Sequence, residues 1–298
     1  MYQALHPGDA IHFVSAASPV TREAVEDGLG LMKDLGYLCR FGEFTFGDNG
    51  LTAATPAERI ADLYAAGADP QVRLTWGLRG GYGTIQMLAE IDYRRLAQNY
   101  RPLVGFSDLT ALQWGIFAAA GLPSLSGLTL TTQVSHANPY LGVGLEILSG
   151  RRNYYRESDF RPAALQVRRP GEAEGILLGG NLAMIGALAG TPFFVDRDDL
   201  ILFIEDVDEP LYRLDRLFYQ LALMGVWARV RGVILGRFTY KDGELDPWPN
   251  LAPLIPEGVP VVSGVPYGHT PDCAPMPIGV AARLQTAPFR LEWDAFLA

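Results

Sequence analysis

Cysteine is nearly missing from this 298-residue sequence: Cys39 and Cys273 are the only two, and they lie far apart. Two such residues build no disulfide framework, and neither has a C-x-x-C neighbour, so a reducing compartment is expected. Surplus positive charge is missing too. With 24 Lys and Arg against 33 Asp and Glu, the formal charge is −9 and the pI about 5.0. That balance leaves nothing to neutralise a phosphate backbone and argues against nucleic acid as a partner. The one basic cluster, Arg151-Arg152 through Arg168-Arg169, is diluted by Glu157, Asp159, Glu172 and Glu174. No apolar run approaches the roughly 18 residues of a membrane span. Met1 to Asp9 lack the basic-then-apolar order of a secretory signal. There is no internal repeat and no low-complexity tract. These absences point to a soluble cytoplasmic protein with no membrane partner.

What is present is enough apolar sequence for a real core: 49% of residues are hydrophobic and 19% charged, which excludes global disorder. The length suits two domains. In the first half, strand and helix signals alternate. Ala10 to Ala17 reads as a buried strand ending at Ser18-Pro19, and a helix opens at Thr21 and closes at Gly36. Thr55-Pro56-Ala57-Glu58 combines a cap, a first-turn proline and a first-turn acid, opening a helix to about Ala66. Val72 to Gly77 is a second strand. Alternation of this kind implies a parallel sheet with ligands at the carboxyl ends of its strands. His12 lies within the first strand and reads as an ordinary interior residue.

The stretch that organises the chain is Pro102-Leu103-Val104-Gly105-Phe106-Ser107-Asp108-Leu109-Thr110, a short strand, a glycine, a serine and a helix start. The helix runs to Ala120 and stops at Gly121, with Pro123 beyond. Two readings of Ser107 are open. It is a helix cap, or a nucleophile on a sharp strand-to-helix turn, beside a backbone N–H that faces the same space. Leu109 stands where the usual G-x-S-x-G elbow has its second glycine. Upstream, Leu78-Arg79-Gly80-Gly81-Tyr82-Gly83-Thr84 follows a strand with three glycines, after Gly77. A tight turn, a phosphate loop or an oxyanion loop each explains it, although it fits neither G-x-G-x-x-G nor the Walker pattern.

Beyond Gly150 the composition becomes polar and Pro-containing, so residues 151–172 are expected to be a linker between a domain at 1–150 and one at 173–298. The second core begins at Gly175-Ile176-Leu177-Leu178-Gly179-Gly180-Asn181-Leu182, a strand, a turn and a helix. Leu200 to Ile204 must be a buried strand. It ends in Glu205-Asp206-Val207-Asp208-Glu209-Pro210, where Asp208 is expected to cap the following helix. Glu205 is not needed for that cap, so a functional and a bland role stand side by side. Val259 to Val265 is another short strand, leading to Gly268-His269-Thr270-Pro271. Of the four histidines, only His269 has the setting of a positioned base.

Ser107, Glu205 and His269, each after a strand, follow one of the chain orders that build a serine–base–acid triad. Arg79-Gly80-Gly81-Tyr82-Gly83, Gly105-Phe106-Ser107-Asp108, Gly179-Gly180-Asn181-Leu182, Ile204-Glu205-Asp206 and Gly268-His269-Thr270 resemble the LD-carboxypeptidase family of serine peptidases. That family includes murein tetrapeptide carboxypeptidases and microcin C self-immunity peptidases. The resemblance spans nearly the whole chain. It implies an N-terminal parallel-sheet (Rossmann-like) domain and a smaller C-terminal α/β domain, with the site in the cleft. It also implies Ser107 as nucleophile, His269 as base and Glu205 as orienting acid, with backbone N–H groups of Gly80 or Gly81 and Asp108 as the oxyanion hole. Arg79 and Tyr82 are candidates for holding substrate, since arginine suits a carboxylate. The implied reaction is removal of a C-terminal D-alanine from a murein tetrapeptide in cytoplasmic cell-wall recycling, without metal or cofactor, by a homodimer. Alternative readings are a microcin-type peptidyl-nucleotide substrate, with Trp76, Trp227 and Trp248 as candidates to grip the base, or another amide on the same scaffold. A non-catalytic two-domain binding protein, or a nucleotide-binding enzyme using the glycine loop, are readings from other classes.

Overall fold

The computed structural model describes residues 1–160, 165–241 and 243–298. Its strands form two sheets. In the first, β1 (Ala10–Val14) lies between the edge strand β2 (Leu38–Phe41) and β3 (Val72–Gly77), and β4 (Leu103–Gly105) and β5 (Ser124–Ser126) extend it beyond β3. All five run parallel, and β13 (Met276–Ile278) closes the far edge antiparallel to β5. The parallel strands read as near-continuous apolar runs because helices cover the sheet. β1 is buried along its whole length, and His12 sits there as an interior residue.

Helices return the chain between these strands: α1 (Glu26–Asp34), α2 (Pro56–Ala68), α3 (Tyr93–Gln98) and α4 (Leu109–Ala120), with α5 (Leu141–Leu148) after β5. The α2 signals act as expected. Thr55 Oγ1 accepts the Glu58 N–H, and the Glu58 carboxylate accepts the Thr55 N–H at 2.9 Å, a reciprocal capping box. α4 is apolar nearly all round, and Leu109 to Ile116 are all buried. It has no solvent face to speak of because it lies between its own sheet and the second one.

The second sheet comprises β6 (Tyr154–Arg156), β7 (Gln166–Arg169), β8 (Glu172–Asn181), β9 (Leu200–Val207), β10 (Val230–Tyr240), β11 (Gly243–Leu245), β12 (Val261–Ser263), β14 (Val280–Thr286) and β15 (Phe289–Trp293). β8, β9, β10 and β12 are parallel, with α6 (Leu182–Ala187) and α7 (Leu211–Leu223) in the crossovers. The outer strands are antiparallel. Within the stretch expected as a linker, 154–156 and 166–169 are strands of this sheet, and 161–164 lie outside the described residues. The chain then crosses back, since β13 belongs to the first sheet and β14 to the second. One contiguous cluster of buried apolar side chains includes residues from both. Among the described residues, no helix is long and apolar enough to cross a membrane.

The expected cap of α7 is a correction. The N-cap is Pro210, with no side-chain cap, while Asp208 takes a left-handed φ of 57° and accepts the Lys241 N–H at 3.2 Å. A partner on β10's outgoing turn outcompetes the local helix end for that carboxylate.

Candidate active site

Ser107 sits between β4 and α4 with a φ of 64°. This left-handed conformation costs a non-glycine residue about 1–3 kcal/mol and persists only where the surroundings impose it. Of the two readings left open by the sequence, the helix-cap reading does not hold. Asp108 occupies the N-cap position, no side chain caps α4, and the Ser107 hydroxyl lies 2.8 Å from His269 Nε2.

The acid and the histidine come from the second sheet. Glu205 lies in the last three residues of β9, fully buried, with Oε2 2.8 Å from His269 Nδ1. A carboxylate only accepts, so Nδ1 carries the proton and Nε2 is left to accept from the serine hydroxyl. His269 stands on the loop after β12, and its ring packs 4.6 Å, centroid to centroid, from Phe106, the residue preceding the serine. Burial pulls the imidazole's proton affinity down. The Glu205 charge and hydrogen bond, joined by Asp206 and Asp208, more than offset this and leave its pKa above the ordinary value.

Residues with no role assigned from sequence tie the two sheets together. Trp114 Nε1 of α4 donates to the Gly179 carbonyl at 2.8 Å, and Thr110 Oγ1, one turn after Ser107, accepts the Asn181 N–H at 3.1 Å. The helix that carries the serine is thereby fastened to the strand beside the acid, since Asn181 on β8 pairs in register with Glu205. Asn181 Oδ1 caps α6 by accepting the Met184 N–H, and Nδ2 donates to Glu205 Oε1 at 3.2 Å and Asp206 Oδ1 at 3.0 Å. Burial, and after it the Glu205 charge, push the Asp206 carboxyl up to about 7, against N–H donors from Val207, Asn181 and Ala183. The available signal was Gly179-Gly180-Asn181, a turn whose polar residue faces the end of the acid's strand.

The glycine loop lies against the serine. A Cβ on Gly80 would stand 2.7 Å from the Ser107 Cβ. Gly81 has a φ of 116°, and a Cβ there would stand 2.3 Å from Ser18 Oγ, so position 81 requires glycine on both counts. Ser18 Oγ accepts the Tyr82 N–H, and the Asp108 carboxylate accepts those of Gly83 and Thr84, bolting the loop at both ends. Burial raises the Asp108 carboxyl's pKa, and these donors with Arg59 oppose the rise. Among the described residues, no acceptor is bonded to the N–H groups of Gly80, Gly81 or Asp108.

Ser107 and His269 open onto a cavity of about 460 Å³, lined also by Arg79, Gly80, Gly81, Thr131, Thr132 and Gln133. Arg79 is exposed and, among the described residues, makes one hydrogen bond, at 3.4 Å to the Pro19 carbonyl. Tyr82 is 49% exposed and stands outside this lining. Trp76 and Trp227 are in the core, and Trp248 packs under Arg169, none of them at the cavity. A groove of about 600 Å³ elsewhere, between Glu174, Asp199, Arg283 and Glu292, has no nucleophile–base pair among the described residues. A hydroxyl paired with an oriented imidazole, beside uncommitted N–H groups, is an arrangement suited to acyl transfer.

The chain is similar to known proteins over nearly its whole length. Residues 11–127 match the model of the LD-carboxypeptidase N-terminal domain, and residues 174–284 that of the LD-carboxypeptidase C-terminal domain. The murein tetrapeptide carboxypeptidase of Pseudomonas aeruginosa is 32% identical over 305 residues, covering 95% of this chain and 94% of that protein. The crystal structure of muramoyltetrapeptide carboxypeptidase from Oxalobacter formigenes superposes with a TM-score of 0.83 at 26% identity, covering 97% of this chain and all of that one. The microcin C7 self-immunity protein MccF, in complex with aspartyl sulfamoyl adenosine, shares the fold with a TM-score of 0.87 at 23% identity, covering 100% and 99% of the two chains.

Proposed function

The chain belongs to the LD-carboxypeptidase family, and from that premise we propose that it is a serine carboxypeptidase releasing the C-terminal D-alanine of a murein tetrapeptide. The observation that carries the reading is the unbroken Ser107–His269–Glu205 chain, with both hydrogen-bond distances at 2.8 Å and the serine on a left-handed turn. Ser107 Oγ attacks the carbonyl carbon of the scissile amide while His269 Nε2 takes its proton. The N–H groups of Asp108 and of Gly81, or its neighbour Gly80, receive the developing oxyanion. The C–N bond then breaks as His269 returns the proton to the leaving amine, giving an ester on Ser107 and free D-alanine. Water, deprotonated by His269, hydrolyses the ester and restores the serine. Glu205 holds the tautomer throughout and stabilises the imidazolium.

Arg79 is proposed to pair with the substrate's terminal carboxylate. Among the described residues it is the arginine at a cavity whose lining includes no acidic side chain, and guanidinium suits a carboxylate. Tyr82 is proposed to contact the substrate at the rim. The nucleophile and oxyanion donors belong to the unit at 1–150, and the acid and base to the unit at 173–298. A cytoplasmic homodimer acting in murein recycling completes the proposal. The absence of tryptophan from the described lining favours a murein peptide over a peptidyl-nucleotide. The test is release of D-alanine from a purified murein tetrapeptide by the wild type and by Ser107→Ala. Release by the wild type alone supports the reading. Release by both removes Ser107 as nucleophile, and release by neither, with Ser107 still reactive to a fluorophosphonate, redirects the search to other amides.

A further inference from the structure

We propose that Asp206 is a positioning residue for this site, holding the Glu205 carboxylate against His269 through the amide of Asn181 that the two acids share. The inference rests on the serine–histidine–glutamate reading above. Glu205 and Asp206 are consecutive on β9 and both buried, Asp206 with 3% exposure. Consecutive strand residues point to opposite faces, yet both carboxylates converge on one Asn181 Nδ2. The amide's orientation is already decided, because Oδ1 is committed to the Met184 N–H. Its two N–H groups therefore point where Glu205 Oε1 and Asp206 Oδ1 lie. Asp206 is itself strapped to backbone by the N–H groups of Ala183 (2.9 Å) and Val207 (2.8 Å). It makes no ion pair among the described residues. The result is a rigid relay: backbone fixes Asp206, Asp206 and the cap fix Asn181, Asn181 fixes one oxygen of Glu205, and the other oxygen takes His269.

A plain structural role has to be separated from this, since Asp206 also satisfies an N–H in the first turn of α6. Charge separates them. The charged or titratable groups that act with Asp206 are Glu205 and Asp208 along its own segment and His269 from the loop after β12; on β10, Asp206 pairs in register with Phe238, and the neighbouring Arg237 is turned to Glu244. Where Asp206 is ionised, at and above about pH 7, its charge adds to those of Glu205 and Asp208 in favouring protonated His269. Neutralising it should lower the proton affinity of the base, and a mere loss of packing should not.

The experiment measures the rate at which a fluorophosphonate labels Ser107 as a function of pH, in wild type, Asp206→Asn and Asn181→Ser. Serine keeps the cap of α6 but lacks the amide donor, so Asn181→Ser remains informative if Asp206→Asn fails to fold. Labelling is expected to slow by roughly tenfold to a hundredfold in both variants. The acidic limb should move to lower pH by roughly half a unit or more in Asp206→Asn, and should not move down in Asn181→Ser. Wild-type rates and limbs in both variants would overturn the proposal, as would slowing in Asp206→Asn with Asn181→Ser unchanged. Failure of wild-type Ser107 to label at any pH would instead overturn the triad, and the proposal with it.

Discussion

The two halves of the site are built by different physics. On the first sheet, backbone conformation does the positioning: Ser107 has a left-handed φ, Gly81 is a position where no side chain fits, and three N–H groups have no acceptor among the described residues. On the second sheet, side-chain charge does it: Glu205, Asp206, Asn181 and His269 form a buried network in which nearly every polar atom has a partner. The nucleophile side is strained and unsatisfied, as a surface awaiting a charge should be. The acid–base side is satisfied, because a buried carboxylate without donors is costly. Substitutions on the first side should therefore act through geometry, and on the second through protonation.

Cutting the link between the halves should have the largest effect. Ser107→Ala or His269→Ala is expected to reduce D-alanine release by about 10⁴- to 10⁶-fold, and the double variant little further, because the pair acts as a unit. Turnover assays on the three proteins check this, and additive losses would mean that the halves work independently. Glu205→Gln should follow at about 10³- to 10⁴-fold, from a wrongly oriented imidazole. Its pH–rate profile sharpens the contrast. The wild-type acidic limb should lie above the value of about 6.5 for free imidazole, because acidic neighbours raise His269, and the limb should fall in Glu205→Gln.

Gly81→Ala probes the backbone side. A loss of about 100- to 1,000-fold in kcat is expected, with the acidic limb unmoved, since no charge changes. A shifted limb in this variant would contradict the division. The smallest effect is expected at the bolt between the sheets. Thr110→Val removes the acceptor of the buried Asn181 N–H and should destabilise the protein by about 1–3 kcal/mol, with Thr110→Ser close to wild type in a denaturant titration.

Much of this architecture could be read in the chain. The α2 capping box, the apolar run Leu200 to Ile204 of β9 and the glycine punctuation are short-range signals, written within a few residues of where they act. Ser107, Glu205 and His269 could be picked out as candidates, because each stands at or just after an apolar strand run. What joined them was resemblance of motifs; spacing alone left Ser107 poised between cap and nucleophile. The N-cap at Asp108 and the hydroxyl's 2.8 Å contact with His269 set the cap reading aside, and both depend on how β4, α4 and the loop after β12 are anchored.

The remaining features depend on residues distant in sequence. Residues 154–156, 166–169 and 276–278 are too short to announce themselves as strands, and their sheet is chosen by edges supplied elsewhere in the chain. Asp208 leaves the helix end for a backbone N–H 33 residues away. Asp206 looks in sequence like an extra acid on a strand, and only the docking of β8 beside β9 brings Asn181 between it and Glu205. Local propensity and chemistry thus belong to the sequence by itself. The convergence of two carboxylates, one amide and one imidazole on a serine from the other sheet was decided by tertiary packing, because hydrogen bonds report who is near, and nearness across 64 or 162 residues is a property of the fold.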